Sequence, residues 1–222
     1  MNIKNSIVLI TSAGTLLGST LAEHFTQLGA KVILSDKEYQ PLVDTYQRCR
    51  VISSDVRYFY SNDYTQQSIE QLFDYIADAF KHAPDVLISN WPSTPLPSLT
   101  DRHPNELFAQ NLTIMASTLF SFGQMSAERM RREGKKGVII NIISNEDQRE
   151  SGFDNTISLV SGFTQSWAKQ LTPFNIRVGG VLPPASGRDS GDALWSETLD
   201  ELIRHTEYIV ANEYFSGRVM TA

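Results

Sequence analysis

Two turns and a handful of polar side chains offer this chain its possible chemistry. Gly14 and Gly18 stand in the run Thr11-Ser12-Ala13-Gly14-Thr15-Leu16-Leu17-Gly18, directly after the apolar stretch Ile7 to Ile10. Glycines in a strand-to-helix turn let the backbone approach a pyrophosphate and let the helix pack on the strand, while the helix N-terminus offers N–H groups to an anion. Gly18 fits the packing role. Gly14 lies inside the turn, out of register with the usual spacing. Ser12 and Leu17 complete the backbone that a phosphate would meet. Asp36 closes the second apolar run, where a carboxylate accepts hydrogen bonds from ribose hydroxyls and repels an added phosphate. The same Asp also suits a helix N-cap. Acid–base work is harder to place. A phenol near pKa 10 is a poor base at neutral pH unless a cation stabilises its phenolate. None of the seven lysines has a Tyr four residues before it. Tyr46 with Arg50 and Tyr214 with Arg218 have that spacing, in elements unsuited to a ligand crevice. Glu146 and Asp147 in a charged loop, and His205 with Tyr208 further on, are the remaining candidate acids and bases.

These groups need elements to hold them. The 222 residues are 41 % hydrophobic and 20 % charged, an ordinary globular balance. Continuous apolar runs at 6–11, 31–35, 50–53, 86–89, 137–143 and 176–182 predict strands buried on both faces, as in a parallel sheet. Helical spacing predicts helices over 18–28, 65–80, 105–133, 155–171 and 197–211, with Gly134 stopping the longest. Strand–helix alternation of this length gives right-handed crossovers. The fold class is α/β: a Rossmann-type doubly wound parallel sheet in three αβα layers, one domain over residues 1–222. Ligands of such sheets sit at the carboxyl ends of the strands.

Net charge is −6, which argues against nucleic acid. The cluster Arg129, Arg131, Arg132, Lys135 and Lys136 reads as a solvated helix end. With Cys49 alone there is no intrachain disulfide and no Cys/His metal spacing. No stretch is apolar over a membrane's thickness. A soluble cytoplasmic protein is expected, with no metal, membrane or nucleic acid partner.

The chain resembles the short-chain dehydrogenase/reductase family. The first turn looks like the family's TGxxxGxG, with Ser12 and Leu16 in place of two glycines, or the TGxxGxxG of its extended members, with Ser12 and Thr15 departing. Asp55-Val56 resembles the Asp-Val pair that contacts adenine. Asp85-Val86-Leu87-Ile88-Ser89-Asn90-Trp91-Pro92 resembles DVLVNNAG, with Asn90 in place and Trp91-Pro92 where Ala-Gly is usual. Asn111 matches the Asn that anchors a water in the proton relay. Ser144, ending Gly137-Val138-Ile139-Ile140-Asn141-Ile142-Ile143-Ser144, matches the Ser that polarises the carbonyl. The segment ending Ile176-Arg177-Val178 matches the family's final helix–strand junction. Counting back from it puts Phe153 and Ile157 where the family has its acid–base Tyr and the Lys that lowers the Tyr pKa. A register three residues later gives Thr156 and Val160, equally inert.

The resemblance therefore implies cofactor contacts at Ser12, Gly14, Leu17, Gly18, Asp36, Asp55, Val56 and Asn90, with Asp36 favouring NAD over NADP. It implies catalytic remnants at Asn111 and Ser144 beside Phe153 and Ile157. General acid–base catalysis contributes about 10²–10⁴-fold, so the expected protein is impaired in hydride transfer and acts in binding, sensing or assembly. The alternative is an NAD(H)-dependent oxidoreductase of a small carbonyl or alcohol with an unconventional acid. The resemblance also implies a homo-oligomer, dimer or tetramer, through the long fourth and fifth helices, with Leu112, Met115, Ala116, Leu119, Phe120, Phe163, Trp167 and Phe174 supplying apolar surface.

Overall fold

The computed structural model describes residues 1–92, 96–97, 105–144, 153–183 and 192–222. Seven strands form one sheet: β1 (Ile7–Thr11), β2 (Lys31–Asp36), β3 (Val56–Tyr60), β4 (Val86–Pro92), β5 (Gly137–Ser144), β6 (Ile176–Leu182) and β7 (Arg218–Thr221). Their order is β3-β2-β1-β4-β5-β6-β7, and every neighbouring pair is parallel. Between them run α1 (Leu16–Gln27), α2 (Tyr39–Ile52), α3 (Gln66–Phe80), α4 (Asn105–Arg132), α5 (Phe153–Leu171) and α6 (Asp192–Ala211).

The continuous hydrophobicity of the central strands follows from helices on both faces. Val8, Ile10, Val32 and Leu34 point into a core shared with Leu21 and Phe25 of α1, Leu42 of α2 and Leu202 of α6. Ile7, Leu9, Ile33 and Leu87 point the other way, against Leu72 of α3, Phe122 of α4 and Val160 of α5. Helix ends are set locally. Thr15 and Thr65 cap α1 and α3, and Gly134 takes a φ of 63° just past α4. β1 lies between β2 and β4, so the chain reverses direction across the sheet there and opens a crevice at the carboxyl edge.

One expected strand is misplaced. Residues 50–53 belong to the last turn and cap of α2, and the third strand is Val56–Tyr60. The β-branched pair Val51-Ile52 imitates a strand, yet Val51 is 89 % exposed, while Leu42, Thr45 and Cys49 bury the helical stripe. β3 is an edge strand, so its run of Arg and Tyr lacks the continuous apolar signature.

Candidate active site

The β1–α1 turn is tied by its own side chains and carbonyls. Ser12 holds a φ of 47°, the left-handed conformation that costs a non-glycine residue about 1–2 kcal/mol. Asn90 compensates: its Nδ2 donates to the Ser12 carbonyl at 3.1 Å and to Thr15 Oγ1 at 2.9 Å. Thr15 Oγ1 in turn accepts from Gly18 N–H at 3.1 Å. The amides of Ala13 and Thr15 donate to the carbonyls of Ser35 and Ser12. Gly18 is needed for packing, because a Cβ there would lie 2.2 Å from the Ser12 carbonyl oxygen and 2.9 Å from Asn90 Nδ2. Leu17 is fully buried in the α1 core, so its side chain serves packing.

Asp36 is drawn into the same turn. Its Oδ2 accepts from Gly14 N–H at 2.7 Å, and its Oδ1 from Lys37 N–H at 2.6 Å and Glu38 N–H at 3.0 Å. A carboxylate offers about four lone-pair sites, so three donors leave roughly one for a ribose hydroxyl. Gly14 must lack a side chain, since a Cβ would stand 2.6 Å from Pro41 Cβ. Beside Asp36 in sheet register is Tyr60, whose ring meets Tyr39 edge-on at 5.3 Å. The Lys37 ammonium lies 5.3 Å from the centre of the Tyr64 ring. Burial, with the Asp36 charge adding to it, pushes the Tyr64 phenol well above its usual range.

Asp55 and Val56 are a correction. They lie at the amino end of β3, the opposite edge of the sheet from Asp36 and the β1–α1 turn. The residues at the carboxyl end are Tyr60 and its successors. The misplaced third strand caused the error, and locating β3 by its edge position would have pointed to Tyr60.

The remaining expected residues fall on β5, α4 and α5. Ser144 is the last residue of β5 and pairs in register with Pro92, the last of β4. Asn111 lies in the second turn of α4, Phe153 opens α5, and Ile157 packs against the α3–α5 core. In the later register Thr156 and Val160 are both fully buried. Trp91 is 6 % exposed and lodges with Leu96 and Met115 between Leu112 of α4 and Leu159 of α5. An apolar plug thus sits between the helical turns that carry Asn111 and Ile157. Sequence reading found Trp91 but not its partners, because α4 and α5 are 20 residues apart in the chain and meet only in the fold. Glu146 and Asp147 lie outside the described residues. Tyr208 and Tyr214 are surface residues, and Tyr46 packs on Tyr58 at the β3 edge.

The family model for short-chain dehydrogenases matches residues 6–196. The chain belongs to the short-chain dehydrogenase family. An uncharacterized oxidoreductase of Thermotoga maritima is 24 % identical over 187 residues, covering 82 % of this chain and 72 % of its own length. The sorbitol-6-phosphate 2-dehydrogenase of Klebsiella pneumoniae is 23 % identical over 195 residues, covering 82 % of this chain and 70 % of its own. The crystal structure of NAD+-bound xylitol dehydrogenase superposes with a TM-score of 0.84 at 16 % identity, over 100 % of this chain and 98 % of that one.

Among the described residues, the dinucleotide that a short-chain dehydrogenase implies finds matching groups at one end of this cleft. The glycine turn, Asp36 and the exposed Tyr39–Tyr60 pair suit an adenosine. The described residues toward the opposite end include Ile157, packed on the α3–α5 core, and a buried Trp91, neither of which carries an amine.

The outer face of α4 and α5 differs from expectation in detail. Met115 and Leu119 point into the core, and the exposed apolar residues of α4 are Leu107, Phe108, Ile114 and Phe120. Trp167 of α5 stacks on Phe163 at 5.5 Å and covers Gly123, whose Cβ would fall 2.7 Å from the indole. A groove of about 650 Å³ runs between the helices past Phe120, Trp167 and Phe174, with Arg131 3.9 Å above the Phe174 ring. The basic cluster next to it is partly neutralised: Arg129 pairs with Asp74 at 2.6 Å, Arg132 with Glu128, and Lys135 with Asp85 at 2.9 Å. Among the described residues no helix is long and apolar enough to cross a membrane.

Proposed function

We propose that this short-chain dehydrogenase is silent in hydride transfer and serves as a binding, sensing or assembly protein. The observation that carries this is Ile157. Counting back from Ile176-Arg177-Val178 gives it the position of the family's lysine, and its partly buried side chain packs against the α3–α5 core. A hydrocarbon there can neither hold a ribose hydroxyl nor stabilise a phenolate, and Phe153 provides no phenol to stabilise. The test is NADH and NADPH oxidation against a panel of small aldehydes and ketones. No turnover is expected, and a kcat in the common enzymatic range of about 1–10³ per second refutes the reading.

A second reading, an NAD(H)-dependent oxidoreductase with an unconventional acid, is supported by Ser144 at the carboxyl end of β5 and Asn111 on α4. Within either reading the Asp36 carboxylate at the end of β2 favours NAD(H) over NADP(H), because a 2′-phosphate would meet its charge. The exposed Phe120 and Phe174 along the α4–α5 groove support self-association through these helices. Buried Cys49, the lone cysteine, suits a reducing cytoplasm.

A further inference from the structure

The two ends of the cleft differ in kind, and the difference bears on which ligand it takes. At the β2–β3 end, Asp36 and Tyr60 are cross-strand partners, and Tyr39 opens the helix that follows β2. The two tyrosine rings are 43 % and 53 % exposed, for Tyr60 and Tyr39, although they already touch each other. Half-exposed aromatic faces next to a carboxylate supply what a nucleoside needs: a stacking surface for the base and an acceptor for a ribose hydroxyl. At the β4–β5 end, Trp91 with Leu96, Met115, Leu112 and Leu159 forms a packed apolar cluster. Between the ends, the turn that would cradle a pyrophosphate has committed four amides internally. Those of Ala13, Gly14, Thr15 and Gly18 donate to Ser35 O, Asp36 Oδ2, Ser12 O and Thr15 Oγ1.

We propose that the cleft recognises the nucleoside half of a nucleotide alone, with the base on the Tyr39–Tyr60 pair and the ribose on Asp36. The ligand class is a nucleotide with free ribose hydroxyls and no second base to seat. Binding energy then comes from the base and its ribose. The diphosphate meets few unpaired donors, and the nicotinamide riboside half meets the Trp91 cluster. This rests on the reading that the reaction centre is silent, and it goes further by naming what the cleft still holds.

Isothermal titration of the full chain with ADP-ribose and with NADH tests it. The two are expected to bind within about threefold of each other, since the nicotinamide half adds nothing. Tyr60→Ala and, separately, Tyr39→Ala are expected to weaken both ligands by about tenfold, the scale of one base–aromatic stack. Circular dichroism and the melting temperature confirm that each variant is folded. NADH binding tenfold or more tighter than ADP-ribose overturns the proposal, as does an absence of ADP-ribose binding at millimolar ligand. So do two folded variants that bind both ligands like the parent. Turnover measured on the same samples bears only on silence: activity would refute the silent reading, whereas the affinity ratio decides which half is recognised.

Discussion

Replacing Gly18 by Ala asks whether the turn is held as described. Gly18 lies in the first turn of α1, where Ala has the higher helix propensity by up to about 1 kcal/mol. Propensity alone therefore predicts a more stable protein. The structure predicts the reverse. A Cβ at Gly18 would be 2.2 Å from the Ser12 carbonyl oxygen, 2.9 Å from Ala13 Cα and 2.9 Å from Asn90 Nδ2. Two of these are backbone atoms, so relief requires the turn to move by about 1 Å. Overpacking of that kind costs about 1–3 kcal/mol. The movement also strains the bond from Asn90 to Ser12, and leaving a buried donor unpaired costs about 1–3 kcal/mol more. After subtracting the propensity gain, the net loss is about 1–5 kcal/mol. At about 2–4 °C per kcal/mol for a chain of this size, the melting temperature falls by roughly 2–20 °C. Gly162→Ala is the matched control. It lies within α5 with nothing within 4 Å of its would-be Cβ, so it should gain up to about 1 kcal/mol. Scanning calorimetry on both variants gives opposite signs. A Gly18→Ala protein that melts at or above the parent temperature would show that the Asn90–Ser12–Thr15 lattice does not constrain the turn.

Other outcomes follow from the same coordinates. Burial pushes the Cys49 thiol up from 9.0 to about 11, against a smaller lowering by its hydrogen bond with Thr26. A thiol reagent at pH 8 should therefore label the native chain far more slowly than the unfolded one. Because the folded state holds the neutral thiol, this contribution to stability is complete below pH 9 and is lost as pH rises through about 11. Cys49→Ala should flatten that alkaline limb, and an unchanged limb would assign it to other groups. Phe120→Arg places a charge on the outward face of α4 and should lower the mass seen by light scattering if the α4–α5 face joins two copies. A parent protein that is already a monomer at micromolar concentration would remove the self-association reading.

The sheet was legible because its central strands are buried on both faces and carry unbroken apolar runs, as at 6–11 and 137–143. β3 was not, because an edge strand can carry Arg57, Tyr58 and Tyr60 half in solvent. The end of α2 was misread because Val51 and Ile52 look like core yet face outward. At the site, Gly18, Asp36, Asn90, Asn111 and Ser144 were singled out by position along the chain. What each does to its neighbours was not. Asp36 read as a ribose acceptor or a cap for the following helix, and beyond its bonds to Lys37 and Glu38 the fold shows it clamping Gly14. Asn90 read as part of a family motif, and the fold makes it the brace that lets Ser12 keep a left-handed backbone. Such roles depend on contacts across 22 to 78 residues of sequence, which no local spacing reveals.

The clamped turn has a consequence for signalling. A segment reports ligand occupancy only if it has two arrangements that the ligand binds unequally. With Gly14, Thr15 and Gly18 already fastened within the fold, a ligand that shifts the β1–α1 turn would have to break these bonds first. A message about occupancy would therefore have to leave by another route. Among the described residues, the half-exposed tyrosines of β3 and α2, at the open edge of the sheet, have room to change.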